Sequence, residues 1–122
     1  MPSPTILNIR WGLGFQGDER PKELKMDLAI FLDDKKLADV EMTYGEGRKP
    51  QPADFEPFEI GGPGKHRLRV ETVAGKAKFE MDIKLGSSNY LQIDYFYLGK
   101  GHPSGKLGVF SAFVQDKPHY YR

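Results

Sequence analysis

Apolar residues in this chain recur at every second position, and no stretch sustains the three- and four-residue spacing of an amphipathic helix. Met26, Leu28, Ile30 and Leu32 alternate with Lys25, Asp27, Ala29 and Phe31. Ala38, Val40, Met42 and Tyr44 alternate with Asp39, Glu41 and Thr43. Leu68, Val70 and Thr72 alternate with Arg67, Arg69 and Glu71, and Phe79, Met81, Ile83 and Leu85 with Lys78, Glu80, Asp82 and Lys84. A period of two sends successive side chains to opposite faces of an extended chain, so each run reads as a half-buried strand.

The residues between the runs suit hairpins. Asp33-Asp34-Lys35-Lys36 fits a four-residue turn, and Gly75 in Ala74-Gly75-Lys76 can take positive φ. Residues 45–57 contain three prolines, which keep them out of a central strand. They read as a crossover between two sheets, ending in a short edge strand, FEPFEI. The spacing predicts eight strands, at about 5–15, 24–33, 37–44, 55–60, 65–74, 77–85, 89–98 and 107–116. The fold class is therefore all-β, a two-sheet antiparallel β-sandwich. At 122 residues, the chain is expected to form a single domain over 1–122.

Three runs depart from clean alternation. NYLQIDYFYLG places Leu91, Ile93, Tyr95 and Tyr97 on one face, and Tyr90, Phe96 and Leu98 on the other. LGVFSAFVQ divides into Val109 and Phe113 against Phe110, Ala112 and Val114. TILNIRWGLGF has Leu7, Ile9, Trp11 and Leu13 on one side and Ile6 on the other. Strands apolar on both faces are covered on both sides or meet a partner. If the first strand lies beside the last two, their second faces form one contiguous apolar patch.

The stretch GKGHPSGKLG, residues 99–108, has the composition of a phosphate-binding loop. Its spacing is wrong. A glycine would be needed where Lys100 stands, and Leu107 follows Lys106 in place of the hydroxyl residue that binds magnesium. It also joins two strands, whereas a P-loop leads into a helix that holds the phosphate. It reads as a hairpin tip in which Gly99, Gly101 and Gly105 permit unusual φ. Lys100, His102 and Lys106 remain able to touch an anionic partner.

His66, His102 and His119 share no metal-ligand spacing, and the acid pairs Asp18-Glu19 and Asp33-Asp34 lack the alternation of a calcium loop. With no cysteine, thiol catalysis, disulfides and cysteine-bound metals are excluded. Ser104 lies two residues from His102 but has no nucleophile elbow around it. No metal, cofactor or catalytic residue is expected, and the chain is not expected to be an enzyme.

The net charge of +1 gives no bulk attraction to nucleic acid. Arg67, Arg69, Lys76, Lys78 and Lys84 are diluted by Glu71, Glu80 and Asp82. The halves differ: residues 1–61 carry 8 basic and 12 acidic residues, and residues 62–122 carry 10 and 5. Either oppositely charged strands are neighbours, or the surface is polarised.

The segment from Asp27 to Tyr97 resembles PEGA-type and related transthyretin-like or immunoglobulin-like modules. The residues that carry this are DLAIFLDDKKLADV, then FEIGGPGKHRLRVE, then KFEMDIKLGSSNYLQIDYF. In such modules a tight turn joins two strands, and a P-G-x-H-x-L-x-V stretch leads into a third, here Pro63-Gly64-Lys65-His66-Arg67-Leu68-Arg69-Val70. The name-giving Pro-Glu-Gly-Ala stretch is absent and the strand at 107–116 is extra. The resemblance implies a sandwich and a non-enzymatic module of a bacterial envelope or surface system.

The expected function is non-catalytic binding or assembly, with a protein partner or a second copy of the chain, through the patch on strands 5–15, 89–98 and 107–116. The candidate binding residues are Trp11, Tyr95, Tyr97, Phe96, Phe110, Lys100, His102 and Lys106. One alternative is carbohydrate binding by stacking on Trp11, Tyr95 and Tyr97, which requires those rings to be exposed. A second is a small hydrolase with His102 in a cleft. No apolar run is long enough to span a membrane. No export signal is visible at the N-terminus, so a cytoplasmic location is expected unless Met1 stands where a signal peptide was removed, which would place the chain outside the cytoplasm.

Overall fold

The computed structural model describes residues 5–17, 21–45, 55–86 and 88–115. Among them are eight strands and no helix: β1 (Thr5–Phe15), β2 (Glu23–Leu32), β3 (Lys35–Gly45), β4 (Glu56–Ile60), β5 (Gly64–Thr72), β6 (Ala77–Leu85), β7 (Ser88–Tyr97) and β8 (Gly108–Gln115). They form two four-stranded sheets, sheet A in the order β4-β1-β7-β8 and sheet B in the order β3-β2-β5-β6. One apolar cluster joins the sheets. Leu7, Ile9, Trp11, Leu91, Ile93 and Tyr95 enter it from sheet A, and Met26, Leu28, Ile30, Met42, Leu68 and Val70 from sheet B. These are the positions that the alternation assigned to one face of each strand. Their removal from water drives the two sheets together. The step from β3 to β4 passes from sheet B to sheet A, as expected of a crossover, and β4 is an edge strand.

Sheet A is not wholly antiparallel. β1 and β7 run parallel, in register from Ile6 opposite Ser88 to Phe15 opposite Tyr97, and every other pair is antiparallel. Alternation fixes which face a side chain takes, not the direction in which a neighbour runs, so this pair was invisible in the sequence. Buried Asn89 secures it. Its amide donates to the Gly86 carbonyl at 2.9 Å and to the Ile6 carbonyl at 3.3 Å, its Oδ1 accepts from Gly86 N–H, and Asn8 donates to its carbonyl at 3.0 Å.

Two turns differ from expectation. The β2–β3 hairpin closes on Asp33 and Asp34 alone, both with positive φ, while Lys35 and Lys36 already belong to β3. Two consecutive left-handed residues give the backbone twist that suits a two-residue hairpin, and aspartate tolerates that conformation. In the β5–β6 turn the residue with positive φ is Lys76, not Gly75. Gly75 serves another purpose. The Tyr95 hydroxyl donates to its carbonyl at 2.8 Å, and a Cβ on Gly75 would lie 2.8 Å from that ring. On the far side, a Cβ on Gly108 would sit 2.1 Å from the same hydroxyl oxygen. Tyr95 is thus clamped between the β5–β6 turn of sheet B and the first residue of β8. Asp27 holds the same turn from below, accepting from the Val73 and Ala74 N–H groups at 2.9 and 2.8 Å and from the Thr72 hydroxyl at 3.1 Å. Burial pushes the Asp27 carboxyl up, but these donors outweigh it and leave its pKa below the ordinary value.

Candidate functional site

The two outer faces differ in kind. On sheet B the outward positions carry charges joined into a chain of ion pairs. Arg67 meets Glu80 at 3.2 Å and Asp82 at 3.1 Å, Arg69 meets Asp34 at 3.1 Å and lies 3.2 Å from Glu71, and Lys78 approaches both Glu71 and Glu80. Phe31 on this face lies under the Arg69 guanidinium, 4.1 Å from its ring centre. Such a lattice is well solvated and gives a hydrophobic partner little to hold.

Sheet A places β1, β7 and β8 side by side, the arrangement on which a contiguous outer patch depended. Its outer face, however, is not contiguously apolar. Beyond Ile6 at its start, β1 offers Asn8, Arg10, Gly12 and Gly14 there, because its other apolar residues fall on the inward parity. In their midst a polar chain crosses from β1 to β7. Arg10 Nε donates to Gln92 Oε1 at 2.6 Å, and Gln92 Nε2 donates to Asp94 Oδ1 at 3.0 Å. Arg10 is 8% exposed and Gln92 4%, unusual for an outward face. Phe55, just before β4, covers the guanidinium at 4.4 Å and meets Tyr90 edge-on. Phe113 of β8 stands opposite Gln92, and Val109 opposite Phe96. Gly12 and Gly14 leave the room that Asp94 and Phe96 occupy. A Cβ on Gly12 would lie 2.8 Å from Asp94 Oδ1, and one on Gly14 2.9 Å from the Phe96 ring. Burial raises the Asp94 pKa above the ordinary carboxylate value, with the Gln92 hydrogen bond and the charge of Arg10 opposing.

The expected site residues separate into three groups. Trp11, Tyr95 and Tyr97 are 5%, 0% and 4% exposed and belong to the core. Their inward parity and the clamp on Tyr95 leave no ring face for a sugar, so stacking on these three is corrected. Phe110 also points inward, edge-on to Tyr95 at 5.3 Å. Of the five expected aromatics, Phe96 is the one on the outer face, half-buried. Lys100, His102 and Lys106 sit in the β7–β8 loop, which folds on itself. Ser104 N–H donates to His102 Nδ1, Lys106 N–H donates to Ser104 Oγ, and Gly99 and Gly105 take positive φ, whereas Gly101 does not. The loop is a hairpin tip, as its spacing indicated. Arg10, Gln92, Asp94 and Phe55 were missed as site residues, although an arginine within TILNIRWGLGF and polar residues at alternate positions of NYLQIDYFY were visible signals.

The charge difference between the halves is spatial. β1 to β4 fill one side of the sandwich and β5 to β8 the other. Among the described residues the first side carries five basic and eight acidic residues, and the second eight and four. His119, Tyr120, Tyr121 and Asp18-Glu19 lie outside the described residues.

The other conspicuous group is His66, at the start of β5. Its Nδ1 lies 2.5 Å from Asp33 Oδ2 and its Nε2 2.7 Å from the Gly62 carbonyl oxygen. Both oxygens are acceptors, so both bonds form together only on a doubly protonated ring. A cleft of about 580 Å³ adjoins it, lined also by Lys35, Glu59 and Lys65, but both ring nitrogens are already engaged. Burial works to lower the His66 pKa, yet the bonds to Asp33 and Gly62 outweigh it and raise it. Asp33 is lowered, first by the Arg67 N–H and then by His66. The histidine's contribution to stability is whole below its unfolded pKa of about 6.5 and is lost as pH rises through the raised folded value. That of Asp33 is whole above its ordinary value and is lost as pH falls through the lowered one. The pair therefore stabilises most between about pH 4 and pH 6.5, by about 1 kcal/mol because Asp33 is half exposed. In urea titrations His66→Ala should cost more at about pH 5.5 than at about pH 8.5. An equal cost at both would show an uncharged ring.

Among the described residues no three His, Asp or Glu side chains gather where they could hold a metal ion, and no helix is long and apolar enough to cross a membrane. No family model matches this sequence, and no curated protein or solved structure matches it.

Proposed function

We propose that the chain is a non-catalytic binding module that engages a protein partner through the outer face of sheet A. The observation that supports this most is the contrast between the faces. One is a solvated ion-pair lattice. The other frames an Arg10–Gln92–Asp94 chain, buried at Arg10 and Gln92 and half-buried at Asp94, with Phe55, Tyr90, Phe96 and Phe113. Aromatic rings and arginine around a desolvated centre are the chemistry that dominates protein–protein binding energy. A location in a bacterial envelope or surface system, as the likeness to PEGA-type modules implies, fits this reading.

Affinity capture with the whole chain tests it. Phe96→Asp places a charge on the proposed face without entering the core, and Lys84→Glu changes the opposite face by the same kind of step. The partner held by the unchanged chain should be lost at least tenfold with Phe96→Asp, about 1.4 kcal/mol or more, and retained with Lys84→Glu. Equal capture by all three, or loss with Lys84→Glu alone, would place binding elsewhere.

A further inference from the structure

We propose that β8 is a self-pairing edge, and that two copies of this chain associate about a twofold axis with their β8 strands antiparallel, joining the two A sheets into one. A sheet edge exposes unpaired N–H and C=O groups, and proteins blunt such edges with charge, proline, shortness or bulges. Three of the four edges here are blunted. β4 has five residues, includes Pro57, which lacks an N–H, and exposes Glu56 and Glu59. β3 opens with Lys35 and Lys36, exposes Asp39 and Glu41, and is bulged opposite Ile30 and Phe31. β6 exposes Lys78, Glu80, Asp82 and Lys84 at alternate positions. β8, GVFSAFVQ, has eight residues with no charge and no proline, and it pairs with β7 without a break from Gly108 to Gln115. Half of its backbone donors and acceptors point away from β7. Among the described residues no strand pairs with that side.

A second copy is the occupant that fits. An uncharged strand meets its own copy without repulsion along its length. A twofold axis normal to the sheet keeps the inner face inner, so odd residues meet odd and even meet even. Phe110, Ala112 and Val114 then meet their counterparts on the core side, and Val109, Ser111 and Phe113 on the outer side, in pairs that favour strand association. The nearby positive charge does not oppose this. Lys76, Lys78 and Lys106 line a groove beside the Gly108 end of β8, and antiparallel pairing carries the clusters of the two copies to opposite ends. Head-to-tail pairing of β8 with β4 would join oppositely charged sides, but Pro57 and the shortness of β4 work against it.

This inference concerns the edge of sheet A, not the face assigned to the partner, so each can fail alone. Sedimentation equilibrium of the full chain tests it, with Ser111→Lys and Ser111→Glu. Ser111 is exposed on the outer side, and in either central register it lies across from Ser111 or Phe113 of the second copy, within reach of a long side chain. The unchanged chain should sediment at twice its mass across the micromolar range, and so should Phe96→Asp. Each Ser111 variant should sediment at the single-chain mass, its self-association weakened about tenfold or more by like charges. An equimolar mixture of the two should return to twice the mass, which a folding defect could not produce. A single-chain mass for the unchanged protein, doubled masses for both single variants, or a mixture that stays single would overturn the proposal.

Discussion

Tyr95→Ala should cost about 4 kcal/mol of folding stability, the largest effect of any single truncation considered. The ring has no exposed surface and spans the two sheets, from the β5–β6 turn to the start of β8. Its removal forfeits the transfer of a large aromatic from water and leaves a cavity whose walls, the backbones of Gly75 and Gly108, cannot collapse inward. Tyr95→Phe keeps the packing and loses only the bond to the Gly75 carbonyl, so it should cost about 1 kcal/mol. Burial, with a smaller push from Tyr97, raises the phenol's pKa to about 12, so the hydroxyl stays protonated and donating through the neutral range. The single tryptophan, buried Trp11, reports unfolding by fluorescence. The comparison is the shift in urea midpoint at constant slope. Nearly equal costs for the two variants would mean that the ring does not bridge the sheets.

Arg10→Ala should be the next most damaging change, at about 3 kcal/mol. It strips a buried guanidinium from Gln92 and removes the positive charge that helps keep the raised Asp94 pKa in check. Gln92 is then left with a buried acceptor and no arginine donor. The Asp94 pKa should rise further, so its ionised form becomes costly at neutral pH. The sign distinguishes this from lost packing. As pH falls through the raised Asp94 value, a proton neutralises the carboxylate and the variant's deficit shrinks. A deficit that stays constant from about pH 7 to pH 4 would mean that Arg10 acts through its hydrogen bond to Gln92 and its packing, not through its charge on Asp94. Arg10→Lys retains the charge but not the planar fork that lies beneath the ring, and should fall between the two.

Much of the fold was legible because burial acts on alternate residues and leaves its trace in them. The eight strands fall within a few residues of the runs that the alternation marked, and the chain does change sheets between β3 and β4, although residues 46–54 of the expected crossover lie outside the described residues. What could not be read was set by contacts distant in sequence. The parallel pairing of β1 with β7 depends on where β7 lands after β6, and on Asn89 reaching Ile6. Aromatic composition suggested a platform at Trp11, Tyr95 and Tyr97, but a ring on the inward parity is claimed by the core before it can serve a ligand. The outer face was recognisable as unusual at Tyr90, Phe96 and Phe113. Its centre was not, since Arg10, Gln92 and Asp94 look like ordinary outward polar residues until their strands are placed side by side. β8 is the reverse case: its composition was plain, and its meaning came only when it proved to be an edge.

The central claim is that the faces of this sandwich have separate roles, with sheet B turned to water and sheet A turned to a partner. Hydrogen exchange measured by mass spectrometry, on the chain alone and in complex with its captured partner, reads this most directly. Protection should appear in peptides covering β1, β7 and β8 and leave those covering β5 and β6 unchanged. Protection over residues 64–85 with none over 88–115 would contradict the account.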